Sequence, residues 1–166
     1  MAVNFNDTTP AAPSGYINVK WQSDTSNNAS AYLPVAASSV SASVGITVDG
    51  GGSAPATGVK GFIQLPYAAT ITGWSVIADV AGTMSMDIWR AASSAPPSAP
   101  AVPTSGGKIS ASAPVTIASS AQSASGGSSA ISTWTTALAQ WDVLGFSLSA
   151  AATLTRITVE IFITKN

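Results

Sequence analysis

The ten residues TRITVEIFIT, 155 to 164, place Thr155, Ile157, Val159, Ile161 and Ile163 on one side of an extended chain and Arg156, Thr158, Glu160, Phe162 and Thr164 on the other. A period of two belongs to a half-buried β-strand, because successive side chains leave a strand on opposite faces. Further stretches of strand character are 59 to 65 (VKGFIQL), 70 to 79 (TITGWSVIAD), 83 to 90 (TMSMDIWR), part of 107 to 117, and 142 to 149 (DVLGFSLS). The connectors AASSAPPSAPAVPTSGG and ASSAQSASGGSSA carry too much proline or glycine to be helices. The segment STWTTALAQWD reads as a loop or short turn, on its threonines and its flanking strands. Many short strands with Pro, Gly and Ser connections predict an all-β fold, an antiparallel β-sandwich of jelly-roll type.

The first 37 residues differ in texture. After TTPAAPSG, the residues Ile17, Val19 and Trp21 alternate with Tyr16, Asn18, Lys20 and Gln22, and SNNAS turns the chain toward AYLP. Residues 1 to 37 are therefore expected to be an extended N-terminal arm or hairpin. Residues 38 to 58, SSVSASVGITVDGGGSAPATG, read as a Ser/Ala/Gly-rich linker with one strand from Val44 to Val48, and 59 to 166 as the β-sandwich domain. The three glycines at 50 to 52 are not followed by the Gly-Lys-Ser/Thr of a phosphate loop and read as a turn.

Composition excludes several functions. Six basic residues against seven acidic give a net charge of −1, with no positive field to hold a nucleic-acid backbone. Without cysteine or histidine there are no disulfides, thiol nucleophiles, zinc sites of the usual kind or Ser-His pairs, and no cofactor is expected. The start, MAVNFNDTTPAAP, lacks the basic and apolar regions of a secretory signal, and no run reaches the roughly 18 apolar residues that cross a bilayer, so membrane insertion is not expected. With only 8% of residues charged, copies of the chain repel one another weakly, which favours a homo-oligomer.

The stretch ITGWSVIADVAGTMSMDIWR, 71 to 90, holds two tryptophans and two aspartates. A hairpin with a three-residue loop over Val80, Ala81 and Gly82 puts Trp74, Val76 and Ala78 beside Met84, Met86 and Ile88 on an apolar face. Gly73, Ser75, Ile77 and Asp79 then share the other face with Trp89, Asp87, Ser85 and Thr83. In that register Asp79 and Asp87 stand about 14 Å apart, beyond the roughly 5 to 9.5 Å of paired glycosidase carboxylates. Asp142 and Glu160 are the other acids on nearby strands. Trp89, across from Gly73, covers bare backbone or packs under a loop or a neighbouring subunit. Its alternative role is to stack on a sugar, with Asp79, Ser85 and Asp87 as polar neighbours. Trp74 is assigned to the core, Trp21 to the buried side of the first strand, and Trp134 and Trp141 to the flanks of a loop. Asn28-Ala29-Ser30 matches a glycosylation acceptor but reads as a turn.

Two stretches resemble bacteriophage virion proteins of the tail-fibre type. TTPAAPSGYINVKWQSDTSNNASAYLP, 8 to 34, is similar to an N-terminal segment of phage structural proteins. GVKGFIQLPYAATITGWSVIADVAGTMSMDIWR, together with WTTALAQWDVLGFSLSAAATLTRITVEIFITK, resembles a β-sandwich of phage fibre and other surface proteins. The resemblance implies a non-enzymatic component of the virion surface. Its first 37 residues would anchor or entwine, with Tyr16, Trp21 and Tyr32 in assembly contacts, and 59 to 166 would form an exposed head. It also implies a trimer, other virion proteins as partners, and a host surface glycan as a receptor. The chain is too short for a long shaft, which favours a short fibre, a knob subunit or a capsid decoration protein. Beside this structural reading stand a carbohydrate-binding module using Trp89 and a glycan-cleaving enzyme.

Overall fold

In the computed structural model the described residues are 16–19, 31–34, 40–96 and 98–166. The chain divides into two units, Met1–Ser38 and Ser39–Asn166. In the first, β1 (Tyr16–Val19) and β2 (Ala31–Pro34) pair antiparallel, with Tyr16 opposite Pro34 and Asn18 opposite Tyr32. These are the two strands expected of the N-terminal hairpin. Trp21, the SNNAS turn and Asn28 lie outside the described residues.

The second unit is all-β. Its strands β3 (Ser41–Asp49), β4 (Gly58–Gln64), β5 (Ala69–Ala91), β6 (Val115–Gly126), β7 (Ala137–Leu138), β8 (Val143–Ala152) and β9 (Arg156–Lys165) form one seven-stranded antiparallel sheet. Among the described residues the one helical element is a 3-10 turn at Ser105–Gly107.

The 23-residue β5 is the spine. Its first half pairs with β9, from Ala69 opposite Lys165 to Ala78 opposite Ile157. Its second half pairs with β8, from Thr83 opposite Ala152 to Ala91 opposite Val143. Residues 143 to 165 thus run antiparallel beside β5 for its whole length. β3 lies outside β9 and β4 outside β8, while β6 follows the other edge of β5 from Trp74 to Met86. The sheet therefore consists of four long ribbons.

All four ribbons change at one level: 50–57 separates β3 from β4, 153–155 separates β8 from β9, β5 runs on through 79–82 but passes there from its ladder with β9 to that with β8, and β6 has Ser120, where φ is +68° and the ladder to β5 shifts. The inner ribbons carry a buried apolar face, Trp74, Val76, Ala78, Met84, Met86 and Ile88 on β5, with Ile157, Val159 and Ile161 on β9 and Leu144, Phe146 and Leu148 on β8, whereas β3 buries only Val48 and β4 no residue fully. A fully buried side chain such as Phe146 contributes about 1.5–3 kcal/mol. No helix among the described residues covers that face, and the sheet is curled. The Ile46 side chain of β3 accordingly reaches within 3.5 Å of the place a Cβ on Gly61 of β4 would take.

Three expectations are corrected. The hairpin over Val80, Ala81 and Gly82 does not form, because β5 continues through those residues. The assigned faces survive, since a three-residue loop and an unbroken strand both keep residues 78 and 84 on the same side. Val-Ala-Gly offers little turn chemistry, and β6 on one edge with the β8–β9 chain on the other hold the backbone extended on either side of it. Secondly, most of the connector ASSAQSASGGSSA is strand β6, whose small side chains are carried by the ladder to β5 rather than by their own propensity. Thirdly, Ser41–Asp49, inside the stretch read as a linker, is an edge strand paired with β9 along its full length.

A β-bulge completes the account of β5. Ile71 faces Ile163 and Gly73 faces Phe162, so Thr72 has no opposite residue. Buried positions are odd before it, at Ala69 and Ile71, and even after it, at Trp74, Val76 and Ala78.

Candidate functional site

The carboxylate of Asp79 sits where β5 passes from its ladder with β9 to that with β8. It accepts the amides of Val80, Thr155 and Arg156, each at 3.0 Å, and the Thr155 hydroxyl. The Thr155 hydroxyl, followed by the Arg156 amide, holds this acid well below the usual carboxylate range. Gln122 of β6 donates to the Asp79 carbonyl at 3.0 Å. On the far side, the Arg156 guanidinium reaches Asp49 at the end of β3 with N–O distances of 2.6 and 3.1 Å. Asp49 in turn accepts the Gly51 amide at 2.8 Å, and that bond, before Arg156, lowers its pKa. Gly51 and Gly52 take φ of +65° and +86°, which is why glycine opens this turn. One polar chain thus crosses all four ribbons at this level.

Ser85, Asp87 and Trp89 occupy consecutive odd positions of β5, facing away from the core, and each is half-buried. Asp87 pairs with Lys108 at 2.7 Å. Ser149 donates to the Ser85 carbonyl at 3.0 Å. Trp89 lies opposite Gly145 of β8 and bridges to Lys108; its expected partner Gly73 is instead opposite Phe162. Gly145 also faces Phe62 of β4, and the space of its missing Cβ is bounded by the Phe62 ring at 3.4 Å and by Pro103 at 3.0 Å. Pro103 is buried. The proline-rich connector therefore folds back over the outer side of this half of the sheet, beside Trp89.

Asp79 and Asp87 belong to a single strand, eight residues apart, or about 27 Å of extended chain. The estimate of about 14 Å across a hairpin is corrected accordingly. The two have separate partners, Thr155 and Arg156 for one and Lys108 for the other, so Asp79 is not brought together with Ser85, Asp87 and Trp89. Asp142, whose side chain is 2% exposed, accepts the Ala139 amide at 2.8 Å and meets Arg90 at 3.4 Å, closing the turn before β8. Glu160 lies between Gly45 and Ser75 on the outer face of the other half. Among the described residues no three acidic side chains converge as a metal site would require.

Comparison with family models, with curated proteins and with solved structures yields no match to this chain. Function must be argued from the chain's own geometry. The residues that sequence reading missed are Thr155, Arg156, Gln122 and Lys108, each remote in sequence from the acid it serves. Only Asp49, followed by three glycines, carried a local signal, that of an Asx turn.

Proposed function

We propose that this protein is a non-enzymatic structural subunit acting by assembly and surface contact, a short fibre, knob or capsid decoration protein of a phage virion. We further propose that its curled sheet is a jelly-roll-like β-sandwich whose two layers are the two halves of the ribbons. The virion placement, and the trimer it suggests, rest on the resemblance of 8–34 and of the main-domain strands. The mode of action rests on the sheet.

The observation that carries it is strand β3. It stands last in the strand order of the sheet and keeps unbroken register with β9, from Ser41 opposite Thr164 to Asp49 opposite Arg156. Its sequence, SASVGITVD, has no proline and no charge before Asp49. Proteins that keep edge strands from pairing with other chains use charges, prolines and bulges, and β3 has none of these along its first eight residues. β4, at the other end of that order, has Lys60 and a bulge between Val59 and Gly61. An uncharged edge without a bulge is a template for strand addition, and a weakly charged surface lets copies approach. The non-enzymatic reading is supported by the acids. Four of the five described carboxylates, Asp49, Asp79, Asp87 and Asp142, tie one segment of the sheet to another.

In this reading Ser85, Asp87 and Trp89 pack beside the proline-rich connector rather than serve a sugar, so Trp89→Ala leaves any glycan binding unchanged. The assembly reading is tested by hydrogen exchange on β3. Amides on its outer edge should gain protection as protein concentration rises, and Ser41→Lys/Ser43→Lys should abolish that gain. Protection independent of concentration in both proteins rules out β3 as the seam.

A further inference from the structure

We infer that Asp49 and Gly50 form a self-modification site, where aspartate converts to isoaspartate once Arg156 lets go of Asp49 and where the folded turn holds that conversion off. Of the six aspartates in the chain, Asp49 alone is followed by glycine. An Asp-Gly pair is especially open to this reaction, because a glycine has no Cβ to shield its own amide nitrogen. The reaction needs no enzyme and no co-reactant but water. The Gly50 nitrogen attacks Cγ of the neutral Asp49 carboxyl. An N–Cγ bond forms, the amide proton and the carboxyl's hydroxyl leave as water, and a five-membered succinimide results. Water then adds back and breaks one of the two C–N bonds of the ring. When the bond to the backbone carbonyl breaks, the chain runs on through Cγ, one methylene longer and with its mass unchanged.

The fold requires both residues. A Cβ on Gly50 would fall on the Ser53 carbonyl oxygen and come within 2.9 Å of the Pro55 nitrogen. Asp49 is required for its carboxylate, which joins the glycine turn to Arg156. The same contacts restrain the reaction. The Gly50 amide donates to the Thr155 carbonyl at 2.8 Å, which keeps its proton in place and fixes its peptide plane. One carboxylate oxygen is held by the Gly51 amide at 2.8 Å and the other by Arg156 at 2.6 Å, so Cγ cannot swing onto the Gly50 nitrogen. The Gly51 amide, followed by Arg156, also holds this acid below the usual carboxylate range, so little of it is the neutral form that cyclises. Burial gives no protection, since the Asp49 side chain is 50% exposed and water is at hand. Conversion would lengthen the chain at the end of β3 and carry the carboxylate away from Arg156, the first residue of β9.

This inference is independent of the assembly reading, because every guarding contact lies within one chain. The test incubates full-length protein and the synthetic peptide ITVDGGGSA at neutral pH, and follows isoaspartate at residue 49 by peptide mapping with electron-transfer fragmentation. Wild type should convert at least tenfold more slowly than the peptide. Arg156→Gln, shown to be folded by its amide spectrum, should convert at least threefold faster than wild type, and Arg156→Lys, which keeps the charge, should fall between them. If Arg156→Gln does not fold, Arg156→Lys carries the comparison and must still exceed wild type. Trp134→Phe, which alters the core away from this turn, should convert as slowly as wild type. The inference is overturned if wild type converts as fast as the peptide or if the folded Arg156 variant converts no faster than wild type. It is equally overturned if Trp134→Phe matches that variant, since general loosening would then account for the reaction.

Discussion

Asp79 and Thr155 are bonded twice: one oxygen of the carboxylate accepts the Thr155 amide at 3.0 Å, and the other accepts its hydroxyl. The pair lies where β5 leaves its ladder with β9 and takes up that with β8. Backbone groups there have left the regular ladder and need other partners, and one carboxylate supplies them to three amides. Through Arg156 and Asp49 the tie extends to β3, and through Gln122 to β6. The acid that first suggested catalysis is a fastener of the fold.

This role sets a pH dependence. The folded-state pKa of Asp79 lies below its unfolded value of about 3.9, so the unfolded chain binds the extra proton. The stabilisation is complete above the unfolded pKa and is lost as pH falls through the folded one. Thermal melts between neutral pH and strong acid should show the wild type losing stability below about pH 4. Asp79→Asn should melt lower at neutral pH and fall less steeply in acid. An acid limb as steep as the wild type's would show that Asp79 is not the group responsible.

Gly82 lies inside β5, and a Cβ there would meet the Ala152 carbonyl oxygen and come within 2.9 Å of the Leu154 amide nitrogen. Both are backbone atoms of the chain that Asp79 fastens. Gly82→Ala is therefore expected to cost about 1–3 kcal/mol by urea unfolding. Gly127→Ala, where a Cβ meets nothing within 4 Å, should stay within about 0.5 kcal/mol of wild type. Equal costs at the two sites would mean that the backbone around Gly82 can move aside.

The two indoles buried among the described residues, Trp74 and Trp134, should respond differently to loss of their N–H. Trp74 Nε1 is buried without a partner, whereas Trp134 Nε1 donates to the Ala113 carbonyl. Trp74→Phe removes an unsatisfied donor, which offsets its lost volume, and should change stability by no more than about 1 kcal/mol. Trp134→Phe forfeits a hydrogen bond and should cost about 1–3 kcal/mol. Denaturant unfolding of the two variants side by side decides the order.

What sequence could show depended on which signals are local. The alternation in β9 and the apolar sets on either side of Ala81 were legible, because parity along a strand needs no knowledge of partners. The same parity could not separate a three-residue hairpin from one continuous strand, since both keep 78 and 84 on one face, and so β5 was divided in two. β6 was hidden because Ser and Ala carry no hydrophobic period; only its ladder to β5 makes it a strand.

The central claim is that this chain works by assembling, and its mass in solution tests that most directly. Light scattering at micromolar concentration should give a stable multiple of the 16.5 kDa chain, and Ser41→Lys/Ser43→Lys should reduce it to the single-chain value. A wild-type mass of one chain under those conditions would contradict the account.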